Sequence, residues 1–272
     1  MMRKLLTILL MLVFLFGITM YLGQQKDKTA GSQAYEKALE VAVSPKKQVE
    51  TTRQTEPVTQ KTEPEQEPQW IPEPVAADDP NLLLLEKIDL EALRAVNPNV
   101  IGWILIPDTE INYPLMQGVD NEYYLNHTWE GEENIVGSIF LEHRNSADLT
   151  DFNTIVYGHN MNNGSMFAGI RQYKETEYWK EHPYVYILSD MGVYRYEIFS
   201  TYLAATDSDT YGLSFLSRRT RESFLEMAQE NSVIVTGVKP EITDRVLTLS
   251  TCTGGSYANR WVVHGRLKMI LQ

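Results

Sequence analysis

The sequence predicts a mainly β domain, an antiparallel barrel or sandwich with helices attached at its ends, preceded by a membrane-spanning helix and a disordered stalk. Three observations lead there. An uncharged run opens the chain, a Pro/Glu/Gln/Thr-rich tract follows it, and the remainder holds more strand-like segments than helical ones, many separated only by short turns. A doubly wound parallel sheet fits less well, because strand and helix do not alternate regularly.

The chain has 272 residues, 43% of them apolar, which suits one folded domain with appendages. After Arg3 and Lys4 comes LLTILLMLVFLFGITMYL, residues 5 to 22, with no charged residue. That length crosses a bilayer core, and the flanking cations hold the first residues in the cytoplasm and put the rest outside. A cleaved signal peptide would have a shorter apolar core and a small-x-small site, which GQQKDKTAGSQA offers only poorly, so an uncleaved single-pass anchor over 1–23 is expected. Residues 24–81 contain few large apolar groups and cannot offset their ordering entropy, so they are expected to form a mobile stalk.

The folded domain is expected over 82–272. LLLLEKIDLEALRAVN reads as one helix stopping before Pro98. VIGWILIP and INYPLMQ read as short strands around Pro107-Asp108, and DNEYYLNH as a helical turn capped by Asp120 or Asn121. GSIFLEHR and NTIVYGHN are further strands, and SMFAGIRQY and ETEYWKEH are short helices. YVYILSD and VYRYEIFSTYLAAT form a long antiparallel pair joined near Met191-Gly192, SRRTRESFLEMAQENS is a helix, and VLTLSTC with RWVVHGRL closes the chain as a strand pair.

A net charge of -12 leaves no cationic stripe for a phosphate backbone, so nucleic acid is excluded as a partner. No HExxH and no cysteine cluster occurs, so neither a metal nor another cofactor is expected. The one cysteine, Cys252, cannot form an internal disulfide. Its pleat places it with Thr248 and Ser250, opposite Leu247 and Leu249. The glycine-rich TGGSYAN loop returns the chain so that Arg260 comes beside Cys252, as a clamp for a carbonyl oxygen would. A small buried core cysteine is the competing reading, and pleat and arginine leave both open. Among five histidines, His159 ends a strand between Gly158 and a turn, where site residues commonly sit. His264 lies four residues beyond Arg260, about 13 Å along the strand, and reads as structural.

TLSTC followed by Arg260, with YGHN upstream and an amino-terminal anchor, resembles the sortases, cysteine transpeptidases of Gram-positive cell surfaces. NPNVIGWILIPDTEINYPLMQG, DNEYYLNH, GSIFLEHRN, NTIVYGHNM, GSMF and LTLSTC are similar to class B segments and occur in the family's order over about residues 84–268. The resemblance implies a closed eight-stranded sortase-type β-barrel with catalytic His159, Cys252 and Arg260. It also implies substrate-groove residues Asn121, Leu125, Tyr157, Tyr211 and Ser250, and Thr253 after the cysteine as a position that alters motif choice. The implied reaction cleaves a carboxy-terminal sorting signal, NPxTN- or LPxTG-like, through a Cys252 thioester. An amine of a peptidoglycan precursor or a pilin then resolves it. A cell-surface cysteine peptidase with water as acceptor is the alternative, and an anchored binding module without activity is the third reading. With ordinary Cys and His values, roughly one molecule in a hundred near pH 7.5 holds thiolate and imidazolium together.

Overall fold

The computed structural model describes residues 2–43, 79–252 and 258–271. Eight strands close into one barrel: β1 (Val100–Leu105), β2 (Asn112–Met116), β3 (Ile139–Leu141), β4 (Asn153–Gly158), β5 (Tyr184–Ser189), β6 (Gly192–Ala205), β7 (Val246–Cys252) and β8 (Asn259–Leu271). Around the barrel the order is β1-β2-β3-β4-β7-β8-β6-β5, with β5 returning to β1. Closure leaves no open edge. The expectation of an antiparallel sheet is corrected at two places, since β2 pairs β3 in parallel and β4 pairs β7 in parallel. The reason is connection length: the chain between β4 and β7 carries β5, β6 and two α-helices, long enough for a crossover.

Alternation sets the two faces of β7. Leu247 and Leu249 enter the barrel interior with Trp103, Phe140 and Tyr196. Val246 faces outward instead, and joins Val262, Phe199 and Tyr202 under α5 (Arg218–Glu230). This helix begins in a capping box between Ser217 and Thr220, and lays Phe224, Leu225 and Ala228 on the barrel wall.

The helix expected over 82–97 is two. Here α2 (Pro80–Leu85) and α3 (Leu90–Arg94) are separated at Asp89, whose carboxylate accepts from the backbone N–H groups of Glu91 and Ala92. Asp89 acts as an N-cap and so restarts the helix, while its own N–H donates to Ala42 O at 2.8 Å. SMFAGIRQY yields a 3₁₀ turn over Ala168–Lys174, and α4 is Thr176–Glu181.

The amino-terminal expectation changes most. One helix, α1, runs from Met2 to Ala42, so residues 24–42 are helical and not an extended tract. Tyr35, Ala38 and Ala42 are buried in the main core at a spacing of three and four, one face of a helix. The Tyr35 hydroxyl donates to Gly137 O, Trp129 Nε1 donates to Ala34 O at 2.7 Å, and Lys37 pairs with Glu130. GSQAYEKALEVA therefore belongs to the folded unit, and the rest of the expected stalk, residues 44–78, lies outside the described residues. Among the described residues no helix is long and apolar enough to cross a membrane. The run 5–22, where the span is expected, lies in α1, and several of its side chains lie outside the described set.

Candidate active site

Three neighbouring strand ends build the site. The parallel register of β4 and β7 sets Tyr157 opposite Ser250 and Gly158 opposite Thr251, so His159, one residue on, comes level with Cys252. The antiparallel register of β7 and β8 sets Cys252 opposite Arg260. Adjacent strands lie about 4.8 Å apart, so the three backbones fall within about 10 Å across the sheet. The described part of Cys252 is its backbone, and Thr253 with the rest of the loop to residue 257 lies outside the described residues.

His159 is held from two sides. Its carbonyl accepts from Phe167 N at 2.8 Å, and its ring Nε2 lies 2.6 Å from Leu125 O. A carbonyl only accepts, so Nε2 carries a proton and donates it there. Gly158 before it has no room for a side chain, since a Cβ would come 2.7 Å from the Phe167 ring. Arg260 donates from Nη1 to Asn259 O at 3.1 Å, and its partner across β6 is Ala204.

A cleft of about 340 Å³ opens over these strand ends. His159 and Arg260 line it, together with Asn121, Leu125, Tyr157, Tyr211 and Ser250, so every groove position named from the sequence, apart from the undescribed Thr253, meets at one surface. The Tyr211 and Ser250 hydroxyls are 2.9 Å apart, and the Tyr211 ring stacks near Tyr157 with centroids 6.4 Å apart. Tyr211 belongs to the 3₁₀ turn Asp209–Tyr211, which Asn153 holds by donating from Nδ2 to Thr210 O and Gly212 O. Burial first, and then the Glu142 carboxylate, pushes the Tyr157 phenol far above its ordinary value, so it stays protonated.

Sequence reasoning missed Glu142 and Arg144, which also line the cleft. The signal was present in GSIFLEHRN, where an acid directly ends an apolar strand, but a charged run reads by default as a solvated turn. His264 is buried, as its structural reading requires: Thr248 Oγ1 lies 2.9 Å from Nδ1 and Tyr202 Oη 3.1 Å from Nε2. Burial lowers its pKa to about 3, which keeps the ring neutral. Among the described residues no group of His, Cys, Asp and Glu is arranged to hold a metal ion.

Residues 104–268 match the family model described as "Sortase domain". The chain is 40% identical over 181 residues to Sortase B of Listeria monocytogenes, covering 66% of this chain and 74% of that protein. Its fold is similar to a solved Staphylococcus aureus sortase B-substrate complex, with a TM-score of 0.64, 30% identity, and coverage of 69% of this chain and 87% of that one. It is also similar to the X-ray structure of Clostridium perfringens Sortase B, with a TM-score of 0.62, 31% identity, and coverage of 66% and 99%. The closed eight-stranded barrel thus has its counterpart in these solved structures, and the sequence match runs through most of it: the chain belongs to the sortase family of cysteine transpeptidases, among sortases of class B.

Proposed function

We propose that this sortase uses Cys252 as nucleophile, His159 as general acid and base, and Arg260 as the holder of the carbonyl oxygen. The observation that carries the reading is the pair of registers, Gly158 opposite Thr251 and Cys252 opposite Arg260, which aligns the three strand ends. The Cys252 thiolate attacks the threonine carbonyl of a carboxy-terminal sorting signal, NPxTN- or LPxTG-like, and the negative charge on that oxygen is met by the Arg260 guanidinium. On collapse the C–N bond breaks, the leaving amine takes a proton from His159, and a thioester remains on Cys252. An amine of a peptidoglycan precursor or a pilin then attacks the thioester, gives its proton to His159, and releases the thiolate. With Nε2 committed to Leu125 O, Nδ1 is the nitrogen that exchanges these protons.

Asn121, Leu125, Tyr157, Tyr211 and Ser250 form the peptide groove in this reading, and Thr253 follows the nucleophile where it can influence motif choice. The similar S. aureus structure is a sortase B-substrate complex, and that likeness supports a peptide groove here. Residues 5–22 anchor the chain with its amino terminus in the cytoplasm and its catalytic unit outside, on the evidence of their length, lack of charge and flanking cations. The catalytic unit takes in residues 31–43 together with 79–272, and residues 44–78 connect its two parts.

The test incubates the full chain, solubilised in detergent, with NPxTN- and LPxTG-type peptides in the presence and absence of an amine acceptor. Ligated product that disappears in Cys252→Ala is expected. Hydrolysis that no amine diverts overturns transpeptidation in favour of a peptidase.

A further inference from the structure

Glu142 directly follows β3 with 1% of its surface exposed, and the reaction above gives it no part. A carboxylate taken out of water must be paired and hydrogen-bonded, and this one is bound on both oxygens. Oε1 accepts from Arg144 Nε at 2.7 Å and lies 3.1 Å from His143 Nδ1. Oε2 accepts from Asn121 Nδ2 at 2.6 Å and from Tyr157 Oη at 3.1 Å. Burial alone would raise its pKa, but the bonds from Arg144, Asn121 and Tyr157 outweigh it and hold the group below the ordinary carboxylate range.

These bonds decide what two groove side chains can offer a ligand. Asn121 Oδ1 is taken by the backbone N–H of His143 at 2.9 Å, and one Nδ2 proton by Glu142, so the amide cannot flip and retains one N–H to donate. Tyr157 spends its only proton on Glu142, so toward a ligand its oxygen accepts. An ion pair whose purpose was stability alone would need Arg144 and neither Asn121 nor Tyr157.

We propose that Glu142 is a positioning residue for substrate recognition: its buried carboxylate fixes Asn121 as a donor and Tyr157 as an acceptor. That wall then reads a peptide or carboxamide group, which carries one of each, in preference to a charged side chain. This deepens the reading of the cleft as a peptide groove and rests on it.

The test measures steady-state ligation of an NPxTN-type peptide by the full chain in detergent. Glu142→Gln keeps the shape but turns an amide N–H toward existing donors. KM is expected to rise about tenfold while kcat stays within about twofold, because substrate binding and not the bond-making step is affected. Alkylation of Cys252 by iodoacetamide should keep its wild-type rate. Tyr157→Phe and Asn121→Ala should each raise KM, and in combination with Glu142→Gln the effects should fall short of additive. If Glu142→Gln does not fold, Glu142→Asp takes its place in the same cycle, since the shorter acid withdraws from Asn121 and Tyr157; the same KM rise is expected. Unchanged KM, additive effects, or a loss carried by kcat with slowed alkylation overturns the role of Glu142 alone. A wild-type chain that processes no sorting peptide overturns the groove reading and this proposal with it.

Discussion

His159 Nε2 and the carbonyl oxygen of Leu125 are 2.6 Å apart, so the backbone of the Tyr123–Leu125 turn fixes the ring orientation of the histidine. Gly137 keeps that turn in place. It has a φ of +60°, and a Cβ there would come 2.6 Å from Leu125 O and 3.0 Å from His159 Cδ2. Gly137→Ala is therefore expected to displace the histidine and lower kcat by about tenfold or more, with a smaller change in KM. Steady-state kinetics of ligation check this, and wild-type kcat in the variant would contradict it.

Arg260 faces Cys252 across β7 and β8, and its proposed task needs a planar fork and not charge alone. Arg260→Lys keeps the charge and the strand. A fall in kcat/KM of about a hundredfold is expected, of the order found on removing one oxyanion donor. A lysine variant that ligates at the wild-type rate would remove the role.

Residues 31–42 make a shorter soluble fragment a poor choice. A protein beginning at residue 79 loses Tyr35, Ala38 and Ala42 from the core, along with the hydrogen bonds of Tyr35 to Gly137 and of Trp129 to Ala34. Tyr35→Ala alone should cost about 3–5 kcal/mol, the range for deleting a buried aromatic. Thermal or urea unfolding of proteins beginning at residues 31 and 79 tests this, and equal stability of the two would return α1 to the stalk.

His264 gives the fold a pH dependence of definite sign. Its folded pKa of about 3 lies below the unfolded value, so the unfolded chain binds more protons as the pH falls. Its contribution is complete above about pH 6.5 and is lost toward pH 3, at about 1.4 kcal/mol per pH unit between them. Urea unfolding at pH 7, 6 and 5 should show this slope, and His264→Gln should flatten it. An unchanged slope would mean that the ring is not buried neutral.

Much of this was legible in the sequence because the signals are local. Alternation in VLTLSTC separates the leucines from the hydroxyls, and the strand that follows pairs back with Arg260 opposite Cys252. The parallel pairing of β4 with β7, which brings His159 level with Cys252, joins strands far apart in the chain, and no local pattern encodes it. Tyr35 was hidden in a compositional average dominated by the Pro- and Glu-rich tract after it, although its spacing to Ala38 and Ala42 is helical. Glu142 was hidden because an acid reads as solvated until the fold brings Asn121 and Tyr157 to it as donors beside the neighbouring Arg144.

In the proposed reaction one covalent intermediate on Cys252 passes the acyl part of a sorting substrate from one amine to another. Mass spectrometry of the intact chain, mixed with an NPxTN-type peptide and quenched in acid, tests it most directly. The predicted result is an adduct on the peptide containing Cys252 with the mass of the substrate up to its threonine. The adduct should disappear when a primary amine is added and should be absent in Cys252→Ala. Ligated product formed at the wild-type rate by Cys252→Ala would contradict it.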